Sequence, residues 1–144
     1  MPRATVLAIL FAGAFSAGLV AGRNTQPEGA RINAARVFEL RTYTTPPGKL
    51  PLLHRRFREH TMELFARHGM TNVAYWTPED STLHENTLVY LLAYPNRQAA
   101  RESWAAFSAD PEWQRVRAES EANGKIVEKV ASLFLDPTDF STMK

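Results

Sequence analysis

The chain has 144 residues, with 17 Lys and Arg against 15 Asp and Glu, and its composition is that of an ordinary globular protein. This length suits one domain with an appendage and leaves no room for two hydrophobic cores. The absence of Cys excludes a disulfide framework, a thiolate metal site and a catalytic cysteine, and the sequence has no basic stripe interleaved with aromatic residues to bind nucleic acid.

Residues 1–22 differ in composition from the rest of the chain. Arg3 is followed by a run of apolar and small residues that ends near residue 22. This pattern predicts a bacterial-type export signal, so we expect an exported protein, either periplasmic or secreted. The run is also close to the length that spans a bilayer, and an uncleaved N-terminal membrane anchor is the alternative. Residues 23–35 are polar without an apolar period, which predicts a flexible linker to a domain at residues 36–141.

The domain begins with a predicted strand from Val37 to Tyr43, in which side chains alternate between two faces. One face is apolar, with Phe38, Leu40 and Thr42, and the other is mixed, with Val37, Glu39, Arg41 and Tyr43. A helix is expected from about Gly48 to His68, and Gly69 is expected to end it in a left-handed conformation.

Four side chains fall on one face of this predicted helix: Leu53, Phe57, His60 and Leu64. His60 is therefore expected to point toward the sheet. Three arginines also have helical spacing: Arg55, Arg56 and Arg58. We interpret them as a solvated helix face rather than as a phosphate site.

The second half of the chain repeats the plan of strands and helices. It contains predicted strands at about Thr71 to Trp76 and Thr87 to Tyr94, helical segments capped by Asn96 and Asp110, and a last strand from Ile126 to Leu135. Residues 77–86 are predicted to form a polar turn between the first two of these strands. The order βαββαβ predicts an α+β, ferredoxin-like fold: a four-stranded antiparallel sheet with its first and third strands at the centre and both helices on one face.

The third strand is almost continuously apolar, as expected when both faces of a strand are buried. Because the helices cover only one face of the sheet, a second subunit is expected to cover the other. The sequence therefore predicts a homodimer.

Four short segments resemble the NIPSNAP family, within the dimeric α/β-barrel superfamily: residues 38–43, residues 47–49, Tyr75 with Trp76, and residues 110–113. The resemblance extends over about residues 36–141. It implies that two ferredoxin-like subunits pair their sheets into a barrel, and it supplies no reaction. Superfamily relatives include cofactor-independent monooxygenases, haem proteins and small isomerases, whose ligands lie between the sheet and the helices. This resemblance raises the expectation of a pocket there.

The candidate catalytic residues are His60, as a general base, and Arg41, as an anchor for a carboxylate or enolate oxygen. Their structural alternatives are a histidine at the edge of the core and an ion pair between Arg41 and Glu39. The candidate ligand-binding residues are Tyr43, Tyr75, Trp76, Tyr90 and Trp104, which could instead be core aromatics. No metal site is expected, because no two histidines have the spacing of a helical metal site.

These observations favour binding over catalysis. The expected function is that of a homodimeric module for a small hydrophobic ligand or a protein partner, with no cofactor. The first alternative is a cofactor-independent monooxygenase- or isomerase-like enzyme, whose pocket would hold both His60 and Arg41. The second alternative is a haem-binding protein with His60 as the axial ligand.

Overall fold

The computed structural model describes residues 36–144; the predicted export signal and the predicted linker lie outside the described residues. Four strands form one antiparallel sheet: β1 (Val37–Thr44), β2 (Thr71–Trp76), β3 (Thr87–Tyr94) and β4 (Lys129–Leu135). Their order is β2-β3-β1-β4, so the prediction that the first and third strands are central is confirmed. The last strand begins at Lys129, three residues later than the sequence predicts.

The helical segments follow the predicted order. They are α1 (Leu50–Arg56), a π-helical turn (Phe57–Thr61), α2 (Met62–Arg67), α3 (Ser81–His84), α4 (Arg97–Ala109) and α5 (Pro111–Ser120). The first three run continuously and replace the single regular helix that the sequence predicts. The short α3 lies within the segment expected to be a turn. The ferredoxin-like fold class is confirmed.

Helix boundaries are set by the residue types that the sequence indicates. Gly69, with φ +78°, follows the end of α2 in the left-handed conformation that glycine adopts without strain. The side chain of Asn96 accepts a hydrogen bond from the Ala99 backbone N–H at 2.8 Å and so caps α4. The Asp110 backbone is extended, and its side chain caps α5. Asp110 therefore separates α4 from α5.

The hydrophobic core lies between the helices and one face of the sheet. Residues from both layers are fully buried, including Leu53, Leu64, Phe65, Tyr90 and Leu92. Burial of each such side chain contributes about 1.5–3 kcal/mol to folding. The helix-covered face of the sheet is the mixed face of β1, so Glu39 and Arg41 lie on the inner side of the domain.

The opposite face of the sheet carries no helix within residues 36–144. Leu40 of β1 pairs with Leu91 on one side and with Leu133 on the other, so that three leucines lie in a row across this open face. Leu133 is 58% exposed, and Leu40 and Leu91 are half-buried. The C-terminal segment reaches one end of the face, where Pro137 and Met143 line a hollow beside Phe38. The open face is therefore apolar and accessible.

Within the described part of the chain, every helix is too short or too polar to cross a membrane.

Candidate functional site

Glu39, at the centre of β1, is the most heavily hydrogen-bonded side chain of the inner sheet face. Its Oε1 accepts hydrogen bonds from Arg41 and Ser132 at 2.5 and 2.6 Å, and its Oε2 accepts from Tyr94 and Trp104 at 2.8 and 2.7 Å. Burial alone would raise the pKa of the Glu39 carboxyl, but the four donors together hold it below its ordinary value. Glu39 is therefore a buried carboxylate that stays ionised.

Arg41 is held by three side chains of the sheet and stacks on a helix residue. Its Nε donates to the Tyr90 hydroxyl at 2.9 Å, Nη1 donates to Glu39, and Nη2 donates to the Tyr43 hydroxyl at 3.3 Å. The guanidinium carbon lies 4.1 Å from the centre of the Trp104 ring, which is within cation–π range. Burial alone would lower the pKa of Arg41, but the oxygens of Tyr90, Tyr43 and Glu39 raise it above its ordinary value. The guanidinium is thus fixed and charged, and each of its three nitrogens donates one hydrogen bond.

An open cavity of about 370 Å³ lies beside Arg41, between the sheet and the helices. Its aromatic wall consists of Tyr43, Trp104, Phe107 and Trp113. Its charged residues are Arg41, Arg56, Arg117, Glu121, Lys125 and Glu128. The packing of Phe107 against Trp113, with ring centres 4.4 Å apart, holds the aromatic wall together. We call this space the sheet–helix cavity.

Arg56 forms part of the wall of this cavity. The interpretation of the three arginines as a solvated helix face is therefore wrong for Arg56. The side chains of Arg55 and Arg58 are exposed as expected, but Arg56 is only 5% exposed. Its Nη1 donates to Ser120 and Glu121 of the α5 region, at 3.1 and 3.2 Å, and its guanidinium lies over Trp113. Arg56 is buried because α5 packs across α1 at this point, a tertiary contact that helical spacing does not reveal.

The structure brings together three of the seven predicted site residues: Arg41, Tyr43 and Trp104 line the sheet–helix cavity. Tyr75 and Trp76 line a separate hollow of about 190 Å³ on the β2 side of the domain. Tyr90 has no exposed surface, because its ring packs in the core against Tyr75 and Phe57. In this structure Tyr90 therefore has no surface facing a cavity, and its hydroxyl accepts the hydrogen bond from Arg41.

The predicted orientation of His60 is wrong. His60 lines a polar groove between the first helical region and α5, together with Arg55, Glu59 and Glu119, whereas Arg41 lines the sheet–helix cavity. The cause is the π-helical turn, which adds one residue to the helix repeat and makes Thr61 the buried residue after Phe57. The Thr61 hydroxyl donates to the Arg56 carbonyl at 3.2 Å, a bond that accompanies the widened turn. A base at His60 and an oxyanion anchor at Arg41 thus do not share one pocket.

Sequence reasoning missed Arg56, Trp113 and Arg117 as residues of the cavity. Trp113 lies three residues after Asp110, the α5 cap, and this position is the one sequence feature that indicates that it faces α4. Arg117 lies four residues before Glu121, a spacing typical of an exposed helix pair, and it gives no sign of a cavity. Within residues 36–144, no three His, Asp or Glu side chains are grouped so as to hold a metal ion.

Residues 38–142 match the sequence model of the NIPSNAP family. Among proteins with curated functions, none matches the chain. One similar solved structure is a NIPSNAP family protein of unknown function from Agrobacterium tumefaciens, with 22% identity and a TM-score of 0.67 over 77% of this chain and 96% of that one. An uncharacterised NIPSNAP-like domain protein from Burkholderia xenovorans gives 19% identity and a TM-score of 0.65 over 75% and 90% of the two chains.

A more distant likeness is to SnoaB, a cofactor-independent oxygenase from Streptomyces nogalater. The two chains are 14% identical with a TM-score of 0.50, over 76% of this chain and 99% of that one. At these identities the solved structures support the fold alone.

Proposed function

Because the chain belongs to the NIPSNAP family, and the similar NIPSNAP structures are of unknown function or uncharacterised, we propose from its own geometry that it is an exported homodimeric module that binds a small hydrophobic molecule. The observation that carries this proposal is the sheet–helix cavity. Its volume of about 370 Å³ falls within the range of small-molecule sites, and its walls combine aromatic rings with a few fixed polar groups.

The aromatic wall favours a flat ligand. Trp104 is held in place by its hydrogen bond to Glu39 and by edge contacts with Phe65 and Phe107. Side chains fixed in this way lose little entropy when a ligand binds, which favours affinity. A planar apolar molecule would replace water against Trp104 and Trp113 without moving either ring.

The dimer is proposed from the open face of the sheet. The row of Leu40, Leu91 and Leu133 is apolar and accessible in one subunit, and a second copy of the chain would bury it. The family resemblance supports the same pairing of sheets into a barrel. In such a symmetric dimer the two open faces would cover each other. Each sheet–helix cavity would lie on the opposite, helix-covered side of its sheet.

The enzyme alternative has less support from the geometry. The pocket that it needs would hold both His60 and Arg41, which line different spaces. The likeness to SnoaB concerns the fold and carries no reaction to this chain. The haem alternative depends on His60, whose groove is lined with charged side chains such as Arg55 and Glu59 and offers no apolar slot for the macrocycle.

Native mass spectrometry tests the proposal on protein purified from the export compartment of its own host. We expect a dimer with a reproducible extra mass. A cavity-filling variant, Ser108→Trp, places a large ring on the cavity wall from an exposed position of α4 and should lose that mass. The matched control is Ala105→Trp, also exposed on α4 but not on the cavity wall, and it should keep the mass. A bare wild-type dimer would contradict small-molecule binding and favour a protein partner.

A second pair of variants tests the dimer. Leu133→Lys places a charge on the open face, at its edge strand β4, and should convert the dimer to a monomer. Leu83→Lys is the control, because Leu83 is similarly exposed, at 46%, but lies on α3 rather than on the sheet. Sedimentation velocity distinguishes the two forms. A wild-type monomer, or a Leu133→Lys dimer, would contradict the proposed interface.

A further inference from the structure

Arg41, which is half-buried, and Arg56, which is buried, both line the sheet–helix cavity but differ in the hydrogen bonds that their nitrogens make. All three nitrogens of Arg41 donate to side chains of the sheet. Of the nitrogens of Arg56, only Nη1 has partners, Ser120 and Glu121. The Nε of Arg56 is buried with no hydrogen-bond partner, and Nη2 makes no hydrogen bond within residues 36–144. Every nitrogen of Arg41 therefore has an acceptor, whereas two nitrogens of Arg56 have none within residues 36–144.

Such an unpaired donor is costly. A buried N–H without an acceptor loses its hydrogen bonds to water and gains none from the protein, and the penalty is larger when the group is charged. Arg56 is only 5% exposed, so hydrogen bonds to water can replace only a small part of those that the protein does not supply. Burial lowers the pKa of Arg56, and Glu121 offsets this only in part. The guanidinium of Arg56 therefore has N–H groups that lack an acceptor within residues 36–144.

The charges around Arg56 are also out of balance. Glu121 is shared between two arginines, since its Oε1 accepts from Arg56 and its Oε2 lies 3.4 Å from the Nε of Arg117. Lys125 adds a further cation at the cavity wall, and Glu128 adds one carboxylate. Because Glu39 neutralises Arg41, the cavity wall is left with one positive charge beyond its carboxylates.

We infer that the ligand of the sheet–helix cavity is a flat organic acid with one negative charge, whose carboxylate binds Arg56, with Arg117 and Lys125 at the mouth of the cavity. This inference rests on the proposed function and assigns the anion to Arg56 rather than to Arg41. The ring of the acid lies against Trp113, over which Arg56 is already stacked with its guanidinium carbon 5.1 Å from the ring centre. A planar guanidinium favours a planar carboxylate, because two N–H groups can bind its two oxygens.

The inference is tested with two probes of the same shape, 2-naphthoate and 2-naphthamide, which differ in charge. Isothermal titration calorimetry of the wild-type dimer should give an affinity for 2-naphthoate that is at least about 10-fold higher than for 2-naphthamide. Arg56→Met should weaken 2-naphthoate binding about 10- to 100-fold and leave 2-naphthamide binding unchanged. A circular dichroism melt establishes that this variant is folded.

A pair of exposed arginines on α5 keeps the test decisive if Arg56→Met does not fold. Arg117→Gln should weaken binding of 2-naphthoate but not of 2-naphthamide, since Arg117 lines the cavity. Arg115→Gln is the matched control: Arg115 also pairs with a carboxylate four residues later, yet it does not line the cavity, so both affinities should be retained.

The outcomes separate this inference from the proposed function. Equal affinities of the wild type for the two probes would overturn the anion inference and leave hydrophobic binding intact. An equal loss of affinity for both probes in Arg56→Met would also overturn the anion inference, because the arginine would then act through packing alone. Binding of neither probe would contradict the proposed cavity function itself.

Discussion

The buried carboxylate of Glu39 gives the sharpest test of how the inner sheet face is held together. Glu39→Gln keeps the size of the side chain but replaces one acceptor oxygen by an NH2 group. The hydroxyls of Tyr94 and Ser132 can turn to accept a hydrogen bond from this group, but Arg41 and Trp104 can only donate. In either orientation of the amide, one obligate donor therefore faces another donor.

The expected cost follows from this geometry and from the lost charge. Removing one partner of a buried ion pair costs about 3–5 kcal/mol, because the remaining charge is left without compensation. For a domain of this size, 3 kcal/mol corresponds to a fall in melting temperature of about 12 °C or more. Urea unfolding followed by circular dichroism measures the free energy directly. Glu119→Gln is the control, since Glu119 belongs to an exposed pair with Arg115, and its unfolding should match that of the wild type.

The pH dependence gives an independent check. The pKa of Glu39 in the folded protein is lowered from 4.5, so the stability that its ionised form contributes is present above about pH 4.5 and is lost as the pH falls through the lower folded-state pKa. The difference in free energy of unfolding between the wild type and Glu39→Gln should therefore be constant near neutral pH and should decrease below pH 4.5. A free energy of unfolding of Glu39→Gln within about 1 kcal/mol of the wild-type value at pH 7 would refute this reasoning. So would a difference between the two proteins that does not change with pH.

Three further predictions concern residues that do not line the sheet–helix cavity. Asp110→Ala removes the α5 cap and the acceptor for His68, and a thermal melt should show a loss of about 4–8 °C; Asp110→Asn keeps the cap and should lose less. The hydrogen bond with His68 lowers the pKa of Asp110 from 3.8. The difference in melting temperature between the wild type and Asp110→Asn should therefore decrease as the pH falls below that value. Thr61→Val removes the hydroxyl that donates to the Arg56 carbonyl and should cost about 1 kcal/mol in urea unfolding, whereas no change would show that packing alone holds the π-helical turn. His60→Ala should leave the affinity for 2-naphthoate, measured by calorimetry, within about twofold of the wild-type value. A larger loss would show that His60 contributes to binding.

The fold was predictable from local patterns because each element carries its own signal. The alternation of β1, the apolar run of β3 and the capping residues Asn96 and Asp110 each depend on neighbours a few positions away. The strand order then follows from the βαββαβ sequence, since few topologies satisfy short connections and a single helix-covered face.

The site was only partly predictable because its geometry depends on distant contacts. Arg41 and Trp104 meet across 63 positions of the chain, and Arg56 is buried only because α5 crosses α1. The π-helical turn explains the error at His60. One additional residue in a turn rotates every later side chain of the helix, and the spacing of apolar residues fits the regular and the widened helix about equally well.

A crystal structure of the protein purified from its own host's export compartment would show both the ligand and the subunit interface. We expect a dimer paired through the open face, with electron density for a small flat molecule in the sheet–helix cavity, against Trp104 and Trp113. A cavity filled by side chains or by water alone, in a chain that pairs elsewhere or not at all, would contradict the proposed function.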